Sequence, residues 1–127
     1  MRHTRHYTLE QAHAARGWVA ERVRRVRCAR RTLESLGPGV AAGIGTLDPE
    51  AGGSYPSREL ARPLVTLSCA VSELESVEVV LRDVEHGDVD FPAIRDGCEV
   101  YLCWCLDEEE IRFWRPVDSG YAGRRPL

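Results

Sequence analysis

Between Asp83 and Asp90 the chain carries four groups able to move a proton or hold a cation: Asp83, His86, Asp88 and Asp90. Carboxylates beside an imidazole can do acid–base work or bind a hard cation. Turns are ordinarily rich in such residues, so Asp88 and His86 read most simply as solvated. Asp90 is the better candidate, because it directly precedes Phe91-Pro92 on an expected strand, although a structural salt bridge is favoured there over catalysis. Downstream, Cys103 and Cys105 share one face of a strand and Cys98 lies five residues before Cys103. A Cys-x-Cys pair can give zinc two thiolates, but tetrahedral closure needs two more ligands, and nothing in the chain has metal-site spacing. No metal and no cofactor is therefore expected. The five cysteines, an odd number, read as reduced thiols rather than a secreted disulfide framework.

Arg112, Arg115, Arg124 and Arg125 stand in an acid-rich neighbourhood with Glu108, Glu109, Glu110 and Asp118. Such charges can form a surface ion-pair network of small energetic value. They can also build a pocket in which Trp104 or Trp114 is a wall and an arginine clamps an anion. The candidate ligand-binding set is thus Asp90, Trp104, Arg115 and Arg124, with a small anion as ligand. The place of Trp104 in a row with Val100 and Leu102 argues for the core. His3, His6 and His13 are too scattered to define a site. There is no serine elbow, no H-E-x-x-H and no dinucleotide fingerprint.

These groups must be positioned by the elements around them. Thr8-Leu9-Glu10-Gln11 reads as a capping box. Ala12, Val19, Val26 and Leu33 then recur every seven residues, which predicts an amphipathic helix over 8–36 with arginines on much of its outer surface. Gly37-Pro38-Gly39 stops it, and 37–56, with six Gly and three Pro, reads as a flexible loop that does not match a phosphate loop. Leu60, Leu64, Leu67, Val71 and Leu74 predict a second helix over 57–75, with Pro63 tolerated near its start. From residue 77 the period shortens, and 77–117 reads as a β-meander, followed by a tail over 118–127. Pro92 suggests an edge strand, and Asp96-Gly97 a type I′ hairpin turn. The expected fold is α+β: a long antiparallel helical hairpin packed on a small three- to four-stranded antiparallel meander, in a single domain over 1–127. In the third strand Val100, Leu102, Trp104 and Leu106 should face the core. Tyr101, Cys103 and Cys105 should need cover from a helix or a partner chain.

Charge is divided along the chain. Residues 1–36 hold nine Arg against three Glu, a net of +6, and residues 37–127 hold eight Arg against 17 acids, a net of −9. Such halves more often neutralise each other within a fold or across a dimer than bind phosphates, and the overall charge of −3 argues against nucleic acid as a partner. No apolar run is long enough to span a membrane, and no apolar run suited to a secretory signal follows the basic N-terminus. A cytoplasmic location is expected.

The C-terminal half resembles the bacterial family catalogued as domain of unknown function 2203. The resemblance lies in Arg82-Asp83-Val84, Gly87, Val89-Asp90-Phe91-Pro92, Gly97, Glu99 to Trp104, Leu106, Glu108, Trp114, Asp118 and Gly120 to Leu127, with Tyr7-Thr8-Leu9-Glu10 and Ala12 at the other end. It implies the architecture and candidate positions, not a reaction. The chain departs from the family pattern at Arg115 (His there), Cys105 (Arg) and Asp107 (Gly), as a divergent member would. An arginine cannot replace a histidine as metal ligand or proton carrier, although it can clamp a carboxylate or phosphate. Two classes of function follow. One is a non-enzymatic binding or accessory protein acting as a homo-oligomer through its helical hairpin or its Tyr101/Cys103 face. The other is a small enzyme or small-molecule-binding protein using the Trp/Asp/Arg cluster.

Overall fold

The computed structural model describes residues 1–36 and 58–127, so the loop expected over 37–56 lies outside the described residues. Helix α1 runs Leu9–Ser35 and α2 runs Arg58–Ser76, and the strands are β1 (Val80–Asp83), β2 (Asp88–Arg95), β3 (Cys98–Cys105), β4 (Phe113–Pro116) and β5 (Arg125–Pro126). The expected α+β fold is present: a two-helix hairpin against one antiparallel sheet in the order β1-β2-β3-β4-β5.

The capping box forms as read. Thr8 Oγ1 accepts from the Gln11 N–H at 3.1 Å, and Gln11 Oε1 accepts from the Thr8 N–H at 2.9 Å. The heptad positions Ala12, Val19, Val26 and Leu33 are all buried, while Leu9 and Leu36 at the helix ends are exposed. Helix α2 continues through Pro63 from a start at Arg58. It lies along α1 and enters the core through Leu74, which joins Val19, Val23, Val89, Phe91, Val100, Leu102 and Trp104. The arginine surface of α1 is partly neutralised within the chain, by Arg22–Glu73 at 2.8 Å and Arg31–Glu85 at 2.8 Å.

Helix α2 ends in a Schellman arrangement. The Val79 N–H reaches Leu74 O at 3.1 Å, and the Glu78 N–H reaches Glu75 O at 3.0 Å. Glu78 takes the left-handed position with φ 58°, where glycine is usual and another residue costs about 1 kcal/mol. A glutamate stands there because its carboxylate holds another segment, described below.

The Asp96-Gly97 turn has φ of 51° and 77°, the two positive values a type I′ turn requires. Two expectations need correction. The sheet has five strands, because the end of the tail folds back: Trp114 pairs with Arg125 and Phe113 with Pro126. In addition β2 is not an edge strand, since it lies between β1 and β3. Pro92 is tolerated because β1 begins only at Val80, opposite Asp90, and does not extend alongside Pro92. Beyond that point the Tyr7 N–H donates to Pro92 O at 2.7 Å, so no ladder bond is lost at the proline nitrogen.

The helices cover one face of the sheet. No helix among the described residues covers the other, although Tyr101 is only 3% and Cys103 7% exposed. Residues 1–7 form a strap there, held by two carboxylates. Glu78 accepts from the Thr4 N–H, the Thr4 hydroxyl and the Arg5 N–H at 3.1, 2.9 and 2.6 Å. Glu99 accepts from the Arg2 and His3 N–H groups at 2.8 and 3.1 Å and lies 2.7 Å from His6 Nε2. His3 Nε2 lies 2.8 Å from the Tyr101 hydroxyl, and the His3 ring meets that ring edge-on. The scattered histidines His3 and His6 therefore converge as fasteners.

The His6 hydrogen bond, followed by those from Arg2 and His3, holds the Glu99 carboxyl down at about 2 against the opposing effect of desolvation. A carboxylate whose pKa is lowered by folding stabilises the native state above its unfolded value of about 4.3. That contribution fades as pH falls toward the folded value. The melting-temperature difference between the native chain and Glu99→Gln should thus be constant from neutral pH to about 4.3 and then shrink steadily on acidification. A difference that persists unchanged to the lowest pH would show that Glu99 does not hold the strap as a carboxylate.

Candidate functional site

The face under the strap is set by strand register. Asp90 lies opposite Cys103, Pro92 opposite Tyr101, and Tyr101 opposite Arg115. With alternation along each strand, Asp88, Asp90, Cys103, Cys105, Tyr101, Phe113 and Arg115 share this face, and Arg82 joins them from β1. Arg115 reaches diagonally over β3 to bring Nη2 within 2.5 Å of Asp90 Oδ2. From the other side Arg82 Nε donates to the same oxygen at 2.9 Å. One carboxylate oxygen thus receives two guanidinium groups, from strands on either side of the β2–β3 pair.

Asp90 is 3% and Arg115 7% exposed, so this is a buried pair in which each charge depends on the other. Both arginines also lie over the Tyr101 ring, with their guanidinium carbons 5.0 Å (Arg82) and 4.9 Å (Arg115) from its centroid. Arg115 Nη1 donates to Ser119 O, which draws the turn after β4 against the site. Arg2 closes another side, donating to Val117 O at 3.0 Å and pairing with Asp118 at 2.9 Å.

Above this floor is a cavity of about 340 Å³. Arg82, Asp90, Arg115 and Arg124 border it, with Arg2, Val117, Ser119 and Gly120 at the strap and tail and Asp88, Trp104 and Glu108 toward the end of β3. Arg82 is 43% exposed in its side chain, and its terminal nitrogens make no hydrogen bond to a described residue. Arg124 lies with its guanidinium 4.8 Å from the Phe113 centroid. Cys103 is a poor nucleophile here, because burial, followed by the charge of Asp90 and a hydrogen bond with it, pushes its thiol up to about 12.

Asp90, Arg115 and Arg124, singled out in sequence, all border one cavity. Trp104 borders it too, but its indole belongs to the opposite, core face of the sheet, where Nε1 donates to Glu108 O at 2.9 Å. Sequence reasoning missed Arg82 and Arg2. Arg82 had a usable signal, since it has the strand parity that sets it beside Asp90. Arg2 had none, because its place depends on the strap.

The model of one protein family, described as an uncharacterized conserved protein (DUF2203), matches residues 5–127. The chain belongs to the DUF2203 family. The match takes in Arg82, Asp90, Arg115 and Arg124, whereas Arg2 and His3 precede it. No curated protein and no solved structure matches this DUF2203 chain. Among the described residues no helix is long and apolar enough to cross a membrane.

Removing one member of a buried ion pair leaves the other charged and unsatisfied. Arg115→Gln and Asp90→Asn should each lower unfolding free energy by about 3 kcal/mol. The double variant should lose clearly less than the sum of the two. Urea unfolding of the four proteins measures this, and strict additivity would mean that the two side chains do not act as a pair.

Proposed function

We propose that this DUF2203 protein binds a small ligand carrying a carboxylate or phosphate in the cavity above Asp90. The observation that supports this is the sharing of one buried carboxylate oxygen by two guanidinium groups. The charged lining of the cavity, Arg2, Arg82, Arg115 and Arg124 against Asp88, Asp90 and Glu108, keeps a net charge of +1. Positive charge held in a concave, partly desolvated place attracts an anion more strongly than the same charge in open water. The fork of donors on Arg82 suits a planar or tetrahedral oxyanion. A volume of about 340 Å³ suits a metabolite-sized molecule.

In this reading Asp90 and Arg115 build and orient the floor, Arg82 and Arg124 engage the ligand, and Trp104 supports the wall from the core. The site acts by binding, since its cysteine is a poor nucleophile at neutral pH and, among the described residues that border the cavity, there is no histidine and the one serine, Ser119, donates to Pro116 O rather than to a base. Three of the five cysteines are exposed and unpaired, which suits a reducing compartment such as the cytoplasm.

The test is a thermal-shift and calorimetric screen with inorganic phosphate and small mono- and dicarboxylates. At least one should bind, and Arg82→Gln, in which Asp90 keeps Arg115, should weaken it by about 1.5–3 kcal/mol, the worth of a charge-assisted hydrogen bond, in protein that circular dichroism shows to be folded. Equal binding by the native chain and Arg82→Gln, or none by either, would remove this reading.

A second observation favours self-association. Half-buried Leu67, Val71 and Leu81 border an apolar groove of about 560 Å³ with buried Val26, Leu74 and Val79. Closing such a groove against a second copy is a common way to bury it. Light scattering at micromolar concentration should give at least twice 14.2 kDa, and Leu67→Glu should return it to monomer. A native chain that runs only as monomer would dismiss this second reading.

A further inference from the structure

The turn between β1 and β2 and the end of β3 bring together three side chains that sequence spacing did not connect. Asp88 lies directly opposite Cys105 in the β2–β3 register, and His86 Nδ1 lies 3.2 Å from both carboxylate oxygens of Asp88. One ligand atom from each of His86, Asp88 and Cys105 falls within 4.8 Å of the others. We propose that His86, Asp88 and Cys105 form a binding site for a zinc-class divalent cation.

The donor chemistry selects the cation. One imidazole nitrogen, one carboxylate oxygen and one thiolate sulfur form a mixed set suited to zinc or cobalt, whereas magnesium and calcium prefer oxygen throughout. Tetrahedral zinc, with bonds of about 2.0–2.3 Å, sets its ligand atoms roughly 3.3–3.8 Å apart. The spacing of 3.2 Å between His86 Nδ1 and the Asp88 oxygens is already close to one edge of that tetrahedron. The His86 side chain is 65% exposed, so rotation can bring its imidazole toward the buried Cys105 sulfur, which lies within 4.8 Å. The metal displaces the thiol proton to solvent and takes the position between imidazole and carboxylate. A dication with one thiolate, one carboxylate and a neutral imidazole sums to zero, so the metal and its ligands carry no net charge. Three protein ligands leave the fourth position to water.

The backbone holds this arrangement in place. The His86 N–H donates to Asp83 Oδ1 at 2.9 Å, and the Leu106 N–H donates to Gly87 O at 3.2 Å. These bonds tie the turn to the end of β3. Gly87 has φ 76°, and a Cβ there would lie 2.6 Å from Leu106 Cγ, so only glycine allows the turn to come so near. The Cys105 thiol, itself buried, points at the turn and donates to His86 O at 3.2 Å. Asp107 adds negative charge beside the same sulfur. Asp88 also borders the cavity above Asp90, so a cation here would lie at the acidic end of that cavity. The site stands on its own residues and does not rest on anion binding.

The experiment uses the full, reduced chain, stripped with a chelator, exposed to zinc alone and dialysed before elemental analysis. One equivalent per chain is expected in the native protein and in Arg82→Gln, Cys28→Ser and Cys98→Ser. His86→Gln and Cys105→Ser should retain none. Cobalt should give thiolate charge-transfer absorption in the native protein that Cys105→Ser lacks, whereas calcium and magnesium should not be retained. His86 is exposed, so His86→Gln tests the site even if Cys105→Ser fails to fold, and circular dichroism checks each variant. A native chain that keeps no zinc overturns the proposal. So does full zinc in a folded His86→Gln protein, or loss of zinc in Cys98→Ser with retention in Cys105→Ser.

Discussion

A carboxylate withdrawn from water must be compensated where it stands, and Asp90 is compensated from both sides at once. Arg82 on β1 and Arg115 on β4 meet at its Oδ2, so four neighbouring strands are tied across their middle by side chains as well as by backbone. This constraint explains features that otherwise look unrelated. Tyr101 is aromatic because two guanidinium groups rest on its ring. Ser119 is drawn in because Arg115 has a further donor to satisfy. The cavity exists because two long arginines meeting over one short carboxylate leave space between themselves and the tail.

The same face shows how a small sheet with one helical layer closes its other side. A second pair of helices would be the usual cover. Here residues 1–7 and the turn after β4 lie over it, and the inventory beneath them is mostly small or already paired: Cys103, Cys105, Pro92 and the Asp90 pair. Backbone N–H groups of an extended strap have no strand to bond for most of their length, and Glu78 and Glu99 act as acceptors instead. Glu78 does this from a left-handed helix terminus, accepting backbone strain in exchange for placing its carboxylate beneath Thr4 and Arg5.

What was legible in sequence was local or periodic. The capping box at Thr8 and Gln11, the heptad row of α1 and the Asp96-Gly97 turn each depend on residues within a few positions of one another, and all three formed. The α+β architecture followed from the change of period near residue 77. The edge assignment of β2 failed because Pro92 reports only on its own nitrogen. Whether that nitrogen lacks a neighbour depends on where β1 begins. The covering of Tyr101 and Cys103 was foreseen as a need, but its supplier was not, since a strap without periodicity carries no pattern to read. Candidate site residues were found in the C-terminal unit, where acids and arginines crowd together. Arg2, and the meeting of His86 and Asp88 with Cys105, came from register and chain path, which no spacing in the sequence encodes.

The strap has a consequence for the order in which the molecule is completed. Residues 2–7 leave the ribosome before their acceptors, Glu78, Pro92, Glu99 and Val117, have been made. Helix α1 can form soon after synthesis from local contacts, yet the segment just ahead of it must wait for nearly the whole chain. Its contacts span 70 to 116 positions, so closure entropy opposes them until the sheet provides a rigid partner. Until then the Tyr101 face stays open to water. The sheet therefore gains its second cover last, from a segment made well before the sheet itself.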